Sequence, residues 1–239
     1  MYHGTDIETG KNIIASQMML PSVGDHHWLG NGIYFYKDEE YAFRWIVIKY
    51  TDNFRNLYSG NYENIFEKYI ILSADIISSR KFDLDDLQTK LFFINIKNEI
   101  LRKSENSKRI QEQLDRNGIA DGVVFNVLFD KMGYSDMYDY VSATFPIAYL
   151  YDSSSRLDYI PELQICVKNA DIIENIAQYN DIEILPGYKS FIDLYRNAKK
   201  QLTIPKGKYI NKKKKCKKGK IYYKKGGVQN GFQKRIAKD

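Results

Sequence analysis

Leu29-Gly30-Asn31-Gly32-Ile33-Tyr34-Phe35 sets two spaced glycines directly before a β-branched residue and two aromatics. That composition describes a tight loop opening into a short strand, expected over Gly32–Tyr36. Side chains alternate along a strand, so Tyr34 and Tyr36 share one face and Phe35 takes the other. About one βα unit upstream lies Tyr2-His3-Gly4-Thr5. Between the two segments, Thr5-Asp6-Ile7-Glu8 reads as a capping box. The helix it would start carries Ile7, Ile13, Ile14 and Met18 on one broad face and ends near Pro21. An imidazole in one segment and a glycine-flexed aromatic strand in the other describe a slot for a flat, amide-bearing ring.

Outward from this pair the pattern alternates irregularly. A loop with Gly24, Asp25, His26 and His27 precedes the strand; the two histidines read as solvent-exposed or as covering the slot. Asp38–Tyr50 reads as a helix, with Tyr41, Trp45 and Ile48 at i, i+4, i+7. Tyr69–Ile77 reads as a strand. Leu84–Lys103 is helical by period, its apolar face formed by Leu87, Leu91, Ile94 and Ile100 or Leu101. Ser104–Asn117 reads as a more exposed helix and Gly122–Leu128 as an apolar strand interrupted by Asn126. Pro161 breaks the run before Glu162-Leu163-Gln164-Ile165-Cys166-Val167, a strand on which Glu162 and Gln164 share a face. An amphipathic helix over Lys189–Gln201 ends the folded part. Short strands and helices without regular βαβ spacing indicate an α+β fold and exclude a doubly wound sheet.

Charge is divided unevenly. Lys199–Asp239 holds 16 basic residues and one acid, whereas the other 198 residues hold 20 basic and 29 acidic ones. A folded body over residues 1–203 and a lysine-rich tail over 204–239, low in aliphatics and not expected to fold alone, follow from this split. Lys212–Lys215 and Lys217-Lys218, interleaved with Tyr209, Tyr222 and Tyr223, could neutralise phosphates and stack on unpaired bases of RNA or DNA. A solvated tail, an acidic protein or an anionic membrane fits the same composition. Cys166 and Cys216, fifty residues apart, form no metal-ligand spacing, so neither a disulfide framework nor a metal is expected. No signal peptide and no apolar run of membrane-spanning length is read from the sequence, and a cytoplasmic protein is expected.

The two opening segments and the strand at Glu162 resemble the NAD-binding core of the ADP-ribosyltransferase superfamily, in particular its His-Tyr-Glu group. That group includes poly-ADP-ribose polymerases and bacterial mono-ADP-ribosylating toxins. The resemblance covers residues 1–50 and 157–168. It implies a split β-sandwich of two small sheets with flanking helices, holding NAD as co-substrate between them. It implies roles residue by residue. His3, in an H-G-[ST] strand with Thr5, would contact a ribose hydroxyl, and Gly4 would offer backbone groups to the nicotinamide amide. Tyr34, after Gly32 in G-x-G-I-Y-F, would stack on the nicotinamide. Trp45, eleven residues later, would close its other face where the polymerases have tyrosine. The catalytic glutamate of the family falls on Gln164, with Glu162 at the first acidic position of the toxins' E-x-E. In another register Glu162 is itself the catalytic carboxylate. A serine that binds the amide in many relatives is replaced here by Ala42.

These departures shape the expected activity. A glutamine can hydrogen-bond a ribose hydroxyl but supplies no charge and no base. Polymer elongation is therefore not expected. Transfer of one ADP-ribose to a macromolecule is, with nucleic acid slightly favoured over protein as acceptor. Likeness to toxins also admits a neutralising antitoxin. The rival expectation is a catalytically degenerate module that binds NAD or nucleic acid without turnover.

Overall fold

The computed structural model describes residues 1–24, 27–52, 63–103, 121–146 and 161–180, with isolated positions 108 and 112. All belong to the first of the two units into which the chain divides, Met1–Leu202. The expected helix over Lys189–Gln201, the lysine-rich tail and most of Ser104–Asn117 lie outside the described residues.

Seven strands form one hydrogen-bonded sheet: β1 Tyr2–Asp6, β2 Ile33–Tyr36, β3 Tyr69–Ile76, β4 Lys81–Asp83, β5 Tyr140–Pro146, β6 Pro161–Val167 and β7 Ile173–Gln178. Their order is β4-β5-β6-β2-β1-β3-β7, antiparallel except between β4 and β5. Four α-helices accompany it among the described residues: α1 Ile7–Ser16, α2 Glu39–Asp52, α3 Leu87–Lys103 and α4 Asp121–Lys131. The class is α+β. In place of two separate small sheets there is a single ladder, joined at its centre by one pair, Tyr2↔Tyr36. β1 pairs with β3 along its whole length and β2 with β6 along its whole length.

Three apolar clusters hold the layers together. Ile13 of α1 packs with Phe35, Leu72 and Ile165; Phe43 and Ile46 of α2 pack with Ile71; Phe93 of α3 and Phe125 of α4 pack with Phe82 and Val141. The Phe93 and Phe125 rings stack at 4.4 Å.

Three expected elements are corrected. Gly122–Leu128 is not a strand but part of α4, whose residues Gly122–Asn126, Leu128 and Phe129 are all buried. A helix buried on every side shows an unbroken apolar run, which cannot be told from a buried strand by period. Thr5 is not the cap of α1, because it is committed to β1 opposite Ile70. Asp6 caps instead, its carboxylate accepting from the Thr9 N–H at 2.9 Å. That helix stops at Ser16, well before Pro21, because Gln17 turns left-handed (φ 53°) and its side-chain amide exchanges two hydrogen bonds with Ile176 of β7. Finally, the stripe expected to be the core face of α3 is its outer face: Leu87, Leu91 and Ile94 are exposed, and Phe93 is buried. β4, β5 and β7 were not anticipated.

Helix α2 lies close against β1 at Gly4. A Cβ there would stand 2.8 Å from the Ala42 carbonyl oxygen and 3.0 Å from Ile46 Cγ1. Packing alone therefore demands glycine at this position. Gly4→Ala should cost about 1–3 kcal/mol through forced separation of α2 from the sheet, read as a lowered urea midpoint without ligand.

Candidate functional site

The central ladder opens just beyond Tyr2↔Tyr36. Met1 and Ala74 exchange both backbone bonds, at 2.8 and 2.9 Å. By strand alternation the peptide groups of His3 and Thr5 also face β3, and those of Tyr2 and Gly4 face β2. Tyr2 meets Tyr36 there; Gly4 meets no strand residue of β2. In the gap the His3 imidazole reaches across, its Nδ1 lying 2.7 Å from the Tyr34 carbonyl oxygen. A carbonyl only accepts, so Nδ1 carries the proton and Nε2 keeps its lone pair as an acceptor. Burial pushes the His3 pKa below its ordinary value, partly opposed by the Tyr34 carbonyl bond. The ring is neutral at pH 7.

A cavity of about 1030 Å³ occupies the opening. It brings together His3, Gly4, Thr5, Tyr34, Trp45 and Gln164, residues from β1, β2, α2 and β6. His27 lines it as well, its ring 5.5 Å from that of Tyr34. Asp25 and His26 lie outside the described residues. Gly32 does not line the cavity. It backs onto β6 instead, where a Cβ would stand 2.5 Å from Cys166 Sγ.

Tyr34 is held at its far end. Its hydroxyl donates to the Gly30 carbonyl at 2.7 Å and accepts from the Leu29 N–H at 3.0 Å. Burial pushes its phenol pKa far upward, so it stays protonated. The 29–31 loop is itself clamped from below. Lys168 Nζ donates to the Leu29 and Asn31 carbonyls at 2.6 and 2.5 Å, and Asn126 Oδ1 accepts from the Asn31 N–H at 2.6 Å. Gly30 sits at φ 78° with the space above its Cα filled by Asn126. Desolvation lowers the Lys168 pKa, and its ammonium lies 5.0 Å from the Phe129 ring centre. Lys168 and Asn126 are positioning residues that sequence reasoning missed. The one signal for Asn126 was a lone amide inside an apolar run.

Trp45 borders the cavity from α2, with Lys49 Nζ 5.3 Å from its ring centre. Tyr41, one turn earlier, donates to the Pro161 carbonyl at 2.6 Å and ties the helix to the start of β6.

Glu162 and Gln164 share a face of β6, as alternation predicts, but only one of them lines the cavity. Gln164 lines the cavity. Glu162 is fully buried and is not part of the lining. One carboxylate oxygen of Glu162 accepts from Gln164 Nε2 and the other from Arg44 Nη2. The Gln164 amide is thereby oriented by its nitrogen, leaving its carbonyl oxygen as the acceptor available to the cavity. None of the described residues lining the cavity is acidic. No cluster of three or more metal-ligating side chains occurs among the described residues, and no helix there is long and apolar enough to cross a membrane.

No protein-family model matches the chain. No solved structure matches it. The chain is 32% identical over 215 residues to an uncharacterized protein of Methanocaldococcus jannaschii, MJ0359, an alignment that covers 82% of this chain and 94% of that protein.

Arg44 is the counter-charge of a buried carboxylate. Arg44→Met should cost about 3–5 kcal/mol, because it leaves the buried Glu162 carboxylate without its counter-charge. Adding Glu162→Gln should recover most of that loss, measured by denaturant unfolding of the single and double variants.

Proposed function

We propose that this chain, which belongs to the same family as MJ0359, is an NAD-dependent mono-ADP-ribosyltransferase built on a split ADP-ribosyltransferase-like sheet. One observation carries the reading. A hydroxyl acceptor (His3 Nε2), an outward-facing peptide (Gly4), a fixed aromatic ring (Tyr34), a second aromatic (Trp45) and an amide carbonyl (Gln164) converge on one cavity where the sheet opens. Its volume suits a dinucleotide, since ligand pockets run to roughly 1,000 Å³.

In this proposal the two rings hold the nicotinamide flat by stacking and cation–π attraction. Gly4 engages its carboxamide through backbone groups. His3 accepts a hydrogen bond from a ribose hydroxyl, and Gln164 accepts one from the 2′-OH beside the bond that breaks. The electron pair of the C1′–N bond leaves with nicotinamide. The acceptor's nucleophilic atom then forms the new bond at C1′ and loses its proton to solvent. Transfer of a single unit fits a site whose family glutamate position is occupied by Gln164. RNA or DNA is the favoured acceptor, because the basic tail offers phosphate contacts at no sequence cost; a protein acceptor is the alternative.

The absence of an acidic side chain from the described lining favours a second reading, an NAD-binding module without turnover. The two separate by product. Incubation with NAD should release nicotinamide, detected by chromatography, and more so with acceptor present. His3→Ala should reduce that release about 100-fold, the scale of losing one positioned polar group. Tight NAD binding with no nicotinamide would establish the module instead.

The pH dependence of NAD affinity follows from His3. Its pKa is lowered, so the neutral, accepting form persists below the ordinary value of 6.5. Calorimetric affinity should stay flat as pH falls to 6.5 and decline only below it, and His3→Gln should remove the decline.

Deleting residues 206–239 should weaken RNA and single-stranded DNA binding and flatten its dependence on salt, leaving nicotinamide release without acceptor intact. Fluorescence anisotropy across a KCl series measures the slope.

A further inference from the structure

Helix α3 carries two apolar stripes on opposite sides. At 100° per residue, Phe93, Ile96 and Ile100 fall together, and all three pack in the cluster around Phe82 and Phe125. Leu87, Leu91 and Ile94 fall together on the other side of the helix, where they are 64%, 47% and 38% exposed. Their spacing is four then three; the next steps of the same repeat reach Asn98, also exposed, and Leu101, which is half-buried and packs against the cluster around Phe82 and Phe125. Four-three spacing of apolar residues with a single polar interruption is the pattern of a helix seam that packs on another helix. Leu87, Leu91 and Ile94 themselves belong to none of the three apolar clusters.

The borders of the stripe are cationic. Lys90 and Lys97 run along one side and Arg102 along the other. Lys97 is shared with Asp121 at 3.0 Å, whereas Lys90 and Arg102 have no carboxylate partner among the described residues. Glu99, the one acid in α3, lies away from the stripe and pairs with Lys103 at 3.7 Å. A second copy of α3 laid on this face, in either direction, would set lysine and arginine against lysine and arginine. The basic tail would do the same. We propose that the outer face of α3 is a docking surface for an amphipathic helix of another protein, with apolar residues at the same four-three spacing and acidic residues along both borders. Seam residues would supply contact area and Lys90, Lys97 and Arg102 would select the partner's charge. The surface is independent of how the cavity is read.

The test uses the full chain and two fluorescein-labelled synthetic helical peptides with leucines at that spacing, one bordered by glutamates and its twin by lysines. Anisotropy should show the glutamate peptide binding at least about tenfold more tightly than its twin, a difference that shrinks with added salt. The triple variant Leu87→Gln/Leu91→Gln/Ile94→Gln should lose about tenfold or more in affinity, the scale of truncated apolar anchors, with an unchanged melting temperature because these side chains are exposed. Equal binding of both peptides, or binding that the triple variant leaves intact, overturns the proposal. So does a lowered melting temperature of that variant, which would mean that the chain covers its own seam. A wild-type dimer in sedimentation velocity that the triple variant dissolves would assign the face to a second copy and likewise overturn it.

Discussion

The site exists because the central ladder stops after one pair. β1 and β2 meet at Tyr2↔Tyr36 and then separate, and a sheet cannot leave peptide groups unpaired in its interior without supplying something in their place. The His3 imidazole supplies part of it by donating to the Tyr34 carbonyl, where the next rung of the ladder would fall. The same bond fixes the tautomer and turns Nε2 into an acceptor. Gly4, which the same register would set opposite Tyr34, is left with its peptide turned into the opening. One interruption of pairing thus produces a cavity, an oriented imidazole and an accessible backbone at once.

An opened sheet needs walls that do not collapse inward, and these come from distant parts of the chain. α4 is buried on all sides and delivers Asn126 beneath the 29–31 loop. Lys168, just past the end of β6, holds two carbonyls of the same loop. Together they fix Gly30 and Leu29, and those fix the Tyr34 hydroxyl. Removing the ammonium would leave two carbonyls of a partly buried loop to find new donors, so Tyr34 depends on a residue it does not touch in the cavity. On the other wall, Gly4 lets α2 approach closely enough to bring Trp45 and Arg44 to the rim.

What the sequence made legible were the features with local signatures. His3, Tyr34 and Trp45 announce themselves through short motifs and helical spacing, and alternation on β6 placed Glu162 and Gln164 on one face. The supporting residues have no such signature. Arg44 and Glu162 are 118 positions apart, and Lys168 reaches back 139 positions to Leu29. Pairings of that range leave no periodicity behind. α4 was misread because burial on every side erases the contrast between faces on which period analysis relies. α3 was misread for the opposite reason: it has two apolar faces, and the more regular one, through Leu87, Leu91 and Ile94, faces solvent. Which stripe is buried is decided by Phe82 and Phe125, elements that the helix's own sequence does not contain.

The electrostatics of β6 bear on what the cavity can accomplish. A free carboxylate beside the nicotinamide ribose would offset the positive charge that develops as the glycosidic bond stretches. Here Glu162 is buried outside the lining, one carboxylate oxygen bonded to the Gln164 amide and the other to Arg44. Arg44 itself lines the cavity, so whatever charge Glu162 presents there is offset by its own partner. What β6 presents to the cavity is the neutral Gln164 amide, held through its nitrogen by Glu162. A transferase with this arrangement would draw more of its rate from holding the two rings and the ribose in place than from charge, and would turn over slowly without an acceptor already bound.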